Sequence, residues 1–261
     1  MKNLRKYGKP PFSIAVIHGG PGAAGEMAPV ARELKSNWDV LEPFQTEDSI
    51  NGQVQELKTV LGENGVFPVI LIGFSWGAWL SFIFAANYPA FLRKLILVGS
   101  GPFEEKYAVG IQKTRLNRLS QKDRKEAESL IRVLNDPAAE DKGKVFSRLG
   151  ELFLRADAYD PITQKSESVD FRVDIFQNVW KEAEKLRRSG KLLQLGESIK
   201  CPVVAIHGDY DPHPAEGVQK PLSSVLKDFR FILLKKCGHK PWIEQKAREE
   251  FFRIVREELV Q

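Results

Sequence analysis

A serine flanked by glycines is the most specific chemical signal in the sequence. Gly73-Phe74-Ser75-Trp76-Gly77 fits G-x-S-x-G, follows a nearly all-apolar strand-like run and opens a helical stretch. That context is what a nucleophile elbow requires. In so tight a turn, side chains two positions from the serine would collide, so glycine is needed there. The hydroxyl then projects above the carboxyl edge of the sheet, beside a helix amino terminus that favours negative charge. A serine hydroxyl is a weak nucleophile and needs a base held by a third group. Four histidines are present: His18, His207, His213 and His239. His239 stands in Cys237-Gly238-His239-Lys240-Pro241-Trp242, just past the last strand and at the edge where Ser75 is expected. His18 and His207 end strands and are read as orienting loops through hydrogen bonds; His213, between two prolines, is placed to line the entrance.

The third group is expected to be a carboxylate between serine and histidine in chain order. Gly208-Asp209-Tyr210-Asp211-Pro212 offers two. Asp211 is far enough into the loop to reach the His239 loop, whereas Asp209 is better placed to bond backbone N–H groups in the turn. Asp211 is preferred and Asp209 is the alternative. Ser100-Gly101-Pro102, after the preceding strand, carries no acid. Acyl transfer also builds a negative oxygen that fixed donors must meet, each worth about 2.7 to 4 kcal/mol. The backbone N–H of Trp76 supplies one, and that of Gly20, in His18-Gly19-Gly20-Pro21-Gly22, is the candidate for the other. None of this chemistry needs a metal or an organic cofactor.

The elements that must position these groups alternate in type. Strands are predicted at Phe12–Ile17, Trp38–Leu41, Pro68–Phe74, Lys94–Gly99, Pro202–His207 and Phe229–Leu234. Helices are predicted from near Pro29, over Val54–Leu61, from about Trp76 to Tyr88, and from about Pro241 to Leu259. Regular alternation implies a mostly parallel twisted sheet with helices on both faces. Roughly a hundred residues separate the strand ending near Gly99 from the one starting at Pro202, where a crossover needs about a dozen. Amphipathic spacing at Ala127, Ile131 and Leu134, at Val145, Leu149, Leu152 and Phe153, and at Phe176, Val179, Trp180, Ala183 and Leu186 makes the excess a helical insertion. The expected division is a catalytic core over 1–102 and 199–261 with a helical cap over 103–198. Trp76, Phe103, Phe153 and Trp180 are the expected apolar wall of a pocket between cap and sheet edge.

Composition excludes several classes. With 261 residues, 43% hydrophobic and 28% charged, the chain can bury a full core. No apolar run reaches the roughly 18 to 20 residues of a membrane span, and Phe12–Ile17 is too short for a signal peptide's apolar region. Lys and Arg exceed Asp and Glu by 39 to 34, an excess of +5 spread along the chain without zinc-type spacing, so nucleic acid is not an expected partner. Two cysteines cannot build a disulfide framework, and a reducing cytoplasm is the expected compartment. Cys201 and Cys237 should lie roughly 20 Å apart at 3.3 Å per strand residue, too far to be bridged.

His18 to Gly22, Gly73 to Gly77, Asp211 and Gly238-His239 together resemble the α/β-hydrolase superfamily, over nearly the whole chain outside the cap. Within it, His-Gly-Gly-Pro-Gly with Gly-x-Ser-Trp-Gly is most similar to the proline iminopeptidase-like branch, whose motifs related esterases share. The resemblance implies Ser75 as nucleophile, His239 as base, Asp211 as orienter, and Gly20 with Trp76 as oxyanion hole. It implies hydrolysis of a small ester, thioester or amide in a small-molecule or short-peptide substrate, with prolyl or aminoacyl peptide cleavage as the alternative. Two departures stand out. Only about eleven residues precede the first strand, so the usual amino-terminal hairpin is expected to be truncated or absent. The cap also shows no pattern for holding a substrate's N-terminal amine, although Glu104, Glu105 and Glu151 are acids available for it.

A rival from another class is a dinucleotide-binding oxidoreductase. Gly20-Pro21-Gly22-Ala23-Ala24-Gly25 matches G-x-G-x-x-G after a strand, and Glu42 closes the next strand. Against it, Pro21 removes an N–H from the turn, and Pro29 starts the helix well past the glycines. NAD(P) binding would also leave Ser75, Asp211 and His239 without a role.

Overall fold

The computed structural model describes residues 3–136, 138–139, 142–162 and 170–260. Its centre is a seven-stranded sheet: β1 (Leu4–Tyr7), β2 (Phe12–Ile17), β3 (Val40–Pro43), β4 (Gly65–Phe74), β5 (Leu92–Val98), β6 (Val203–Gly208) and β7 (Phe229–Leu234). The spatial order is β1-β3-β2-β4-β5-β6-β7, and every neighbouring pair is parallel except β1 with β3. The inner strands are β-branched and leucine-rich runs buried on both faces, as parallel sheets require. Along β4 and β5, Leu71, Leu95 and Leu97 enter the core on one face, under the helices Ile50–Asn64 and Trp76–Asn87. Ile70, Ile72, Ile96 and Val98 enter the opposite core, against Ala28–Leu34 and Arg248–Val260. The alternation is the period of two of a strand, with hydrophobic residues at every step.

Four elements differ from the sequence reading. β1 was not expected: a short edge strand is present, pairing Leu4 with Pro43 and Tyr7 with Val40. Its middle residues, Arg5 and Lys6, are exposed, so it carries no apolar run to announce it. β3 lies two residues beyond the expected Trp38–Leu41. The final helix begins at Arg248, and Pro241–Ile243 forms only one 3₁₀ turn. A helix over Glu216–Val225 was missed because Pro221 lies inside it.

Between β5 and β6 the chain forms the helices Ile111–Arg118, Gln121–Asn135, Lys142–Asp157 and Val173–Arg188, with single turns at Glu105–Ala108 and Lys191–Gln194. This layer is divided in its packing. Ile175, Val179 and Ala183 join the core above the helix Trp76–Asn87. Ala127, Leu149 and Leu152 form a separate small cluster. No described helix is long and apolar enough to cross a membrane. Cys201 and Cys237 are both buried and free.

Candidate active site

Ser75 joins β4 to the helix Trp76–Asn87 with φ 52 and ψ −114, a conformation that costs an L-residue roughly 1 to 3 kcal/mol. Its neighbours explain why the turn closes at all. A Cβ on Gly73 would collide with the carbonyl of Gly77, and one on Gly77 with the carbonyls of Ile17 and His18. The turn is pinned to the next strand by the Ser75 N–H, which donates to the Val98 carbonyl at 2.9 Å. Ser75 Oγ lies 3.1 Å from His239 Nε2, and His239 Nδ1 lies 2.7 Å from Asp211 Oδ2. An ionised carboxylate can only accept, so Nδ1 carries the ring proton and Nε2 is left to accept the serine hydroxyl.

Asp211 is fully enclosed. His213 donates to its Oδ1 through both the backbone N–H (2.9 Å) and Nδ1 (2.8 Å), and His207 Nε2 lies 3.5 Å from Oδ2. Burial alone would raise the Asp211 carboxyl, but the imidazoles of His239, His213 and His207 outweigh it and hold the group well below the usual carboxylate range. Burial drives His213 down to about 4 against the pull of Asp211, so its ring is neutral at neutral pH. Asp209 faces elsewhere: its Oδ1 accepts from the Cys237 N–H at 3.3 Å. Asp211, His213 and His239 bring potential metal-ligand atoms within 4.8 Å of one another. Those atoms are already engaged in the hydrogen bonds just described.

The two strand-ending histidines hold loops. His18 Nε2 accepts from the Gln45 N–H at 3.2 Å, so Nδ1–H donates to the Gly19 carbonyl at 2.8 Å. Burial keeps that ring neutral by pushing its pKa down. His207 Nε2–H donates to the His213 carbonyl at 2.8 Å. Behind the site, Glu244 is completely buried and accepts from the N–H groups of Gly238 (2.9 Å), Tyr159 (2.9 Å) and Asp160 (2.8 Å). The His239 N–H donates to the Asp157 carbonyl at 2.8 Å. The loop bearing His239 is therefore bound to the end of the helix Lys142–Asp157.

Ser75 opens into a cavity of about 330 Å³ that Gly20 and Trp76 also line. The Trp76 N–H belongs to a first helical turn, whose amides lack intrahelical acceptors. Of the expected wall, Trp76, Phe153 and Trp180 line this cavity. Phe103 does not. It is fully buried beneath, with its ring 4.9 Å from Phe82 and 6.3 Å from Trp79. His213 lines the cavity. Sequence reasoning missed Trp79, Arg115, Glu184 and Arg187, which line it too. Glu184 and Arg187 continue the helical face of Phe176 and Trp180 by one turn, a spacing from which they were readable. Of the acids singled out earlier, Glu105 pairs with Arg187 at 2.9 Å, Glu104 with Lys106, and Glu151 with Arg148 at 2.7 Å. The glycine loop is no dinucleotide cradle: Ala23–Ala24 pairs with Asp170–Phe171, and the next helix starts only at Ala28.

A parallel sheet with a serine on the strand-to-helix turn and a hydrogen-bonded histidine and aspartate at the same edge defines a hydrolase architecture. The profile of the family described as alpha/beta hydrolase fold matches residues 46–245, and the chain belongs to that family. Among curated proteins, it is 25% identical over 89% of its length to a Bacillus subtilis (strain 168) protein provisionally named 2-succinyl-6-hydroxy-2,4-cyclohexadiene-1-carboxylate synthase, covering 85% of that protein. Among solved structures it is similar to VinJ (TM-score 0.72, 18% identity, covering 98% of this chain and 93% of that one). It is also similar to the proline iminopeptidase of Mycobacterium smegmatis (TM-score 0.66, 17% identity, 99% and 94%). These structural likenesses extend to the fold.

Proposed function

We propose that the protein is a serine hydrolase that cleaves a small ester, thioester or amide through an acyl-enzyme on Ser75. The observation that carries this reading is the unbroken hydrogen-bonded run from Ser75 Oγ through His239 to Asp211. His239 Nε2 takes the hydroxyl proton as Oγ bonds to the substrate's carbonyl carbon. The N–H groups of Gly20 and Trp76 meet the oxyanion. The same proton then passes to the leaving group as its bond to carbon breaks. Water, deprotonated by His239, releases the acid and restores Ser75. Asp211 keeps the ring in the required tautomer. Residues 1–102 and 199–261 form the catalytic core in this reading, and 103–198 the cap.

A fluorophosphonate probe tests it: wild type labels and Ser75→Ala does not, and labelling that survives in the variant overturns the assignment. A second reading, aminoacyl peptidase of the proline iminopeptidase-like branch, is favoured by Glu184, a carboxylate in the Ser75 cavity for which a substrate ammonium would compete with Arg188 at 3.5 Å. p-Nitrophenyl esters assayed beside prolyl and other aminoacyl anilides separate the two: turnover of anilides alone selects the peptidase.

A further inference from the structure

Beyond the Ser75 cavity lies a second, of about 460 Å³, lined in part by Ala23, Phe146, Gly150, Phe153 and Leu154. The two cavities share two residues, Gly20 and Phe153. Gly20, whose N–H is assigned to the oxyanion in the hydrolase reading, therefore borders both spaces. Phe153 stands between them. Arg115 faces the Ser75 cavity, and Asp157, which it grips at 2.8 and 2.7 Å, lines the second. The Arg115 guanidinium also lies over the Phe153 ring, 5.1 Å from its centroid. An aromatic row runs across the divide: Trp79, Trp180, Phe176 and Phe146 follow one another with ring centroids 5.9, 5.7 and 4.6 Å apart.

The charged groups of the second cavity are held in ion pairs: Glu26 with Lys240 at 2.7 Å, Glu151 with Arg148 at 2.7 Å, and Asp157 with Arg115. Apart from Ser147 and Glu26 Oε2, which accepts no hydrogen bond from the described residues, what remains for a ligand is mostly hydrocarbon and ring surface. We propose that this cavity is a second substrate compartment, which takes the longer apolar limb, alkyl or aryl, of the molecule that acylates Ser75, and that Phe153 sets the boundary between the limbs. The inference rests on the serine hydrolase reading.

Gly150 makes the compartment testable. Phe146, Gly150, Phe153, Leu154 and Asp157 recur at helical three- and four-residue spacing, so they form one face of the helix Lys142–Asp157. A Cβ added at Gly150 meets no atom within 4 Å. Gly150→Leu therefore starts its side chain in open space at the cavity and replaces a weak helix former by a strong one. Gly62→Leu is the control, because Gly62 is exposed on the helix Ile50–Asn64 and its added Cβ is equally unobstructed.

The measurement is the ratio of Ser75 labelling rates with an octyl and an ethyl fluorophosphonate. The expected ratio falls about tenfold in Gly150→Leu, rises in Phe153→Ala and stays at the wild-type value in Gly62→Leu, on the scale of losing contacts for two or so methylenes. Wild-type ratios in both Gly150→Leu and Phe153→Ala overturn the compartment while leaving the hydrolase reading intact. Absence of labelling in the wild type overturns the hydrolase reading itself.

Discussion

The carboxyl edge of the sheet and the helical layer above it are built on different terms. At the edge, positions are fixed by backbone contact. Gly73 and Gly77 are pressed against carbonyl groups, Asp211 is enclosed by three imidazoles, and Ser75 is held in a strained conformation. In the helices Gln121–Asn135 and Lys142–Asp157 the buried cluster is small, and surface ion pairs such as Arg148 with Glu126 and Arg155 with Asp123 span the two helices. Exposed pairs of this kind contribute about 0 to 1 kcal/mol each. The edge tolerates almost no change in geometry, whereas the layer offers side chains that can be exchanged singly. On the proposed reading, chemistry is specified in one region and substrate shape in another.

Substitutions at the edge should show the largest effects. Ser75→Ala is expected to lower kcat by about six orders of magnitude, the scale of removing the serine from other triads. Asp211→Asn is expected to cost about 10⁴-fold in kcat by leaving His239 in the wrong tautomer. Asp209→Asn keeps an oxygen that can accept from the Cys237 N–H, loses only the charge that lies 3.8 Å from Lys235, and should leave kcat nearly unchanged. Steady-state kinetics on any turned-over ester checks all three, and a severe loss in Asp209→Asn would break the assignment of the orienting acid.

The layer should respond in stability rather than in chemistry. Leu152 is fully buried in the small cluster, so Leu152→Ala should cost about 2 to 5 kcal/mol in denaturant unfolding. Fluorophosphonate labelling of Ser75 in the same variant should proceed at nearly the wild-type rate. Loss of labelling in a protein that remains folded would mean that the two regions are not separable.

The smallest expected effect is a slope. His213 titrates near 4 when folded and near its ordinary 6.5 when unfolded, so between those values the unfolded chain binds a proton that the folded one does not. Stability conferred above pH 6.5 is therefore lost as pH falls toward 4, by at most about 1.4 kcal/mol per unit from this group. The depressed Asp211 carboxyl extends the loss to lower pH in the same direction. Unfolding of His213→Asn measured across this range should show a shallower dependence.

Much of this edge was legible in the sequence because its determinants are local. A glycine two residues either side of Ser75, an apolar run before it and a helix after it are all contiguous. His239 and Asp211 were placed at this edge by their position after strands, and the structure brings both there. The wall was less legible, because it is made where separate helices meet. Phe103 and Phe153 look alike as aromatic residues in an insertion, yet Phe103 is sealed under Trp79 and Phe153 is half-buried at the cavity wall. Glu244 gave no signal, since its partners are backbone amides 84 and 85 residues earlier and one six residues before it.

That carboxylate has a mechanical meaning. By gripping Tyr159, Asp160 and Gly238 together, Glu244 makes the tail of the helix Lys142–Asp157 and the loop of His239 a single lever. Asp157 lines the larger cavity and its carbonyl accepts from the His239 N–H, so one wall of that cavity and the loop that carries the imidazole share a single anchorage.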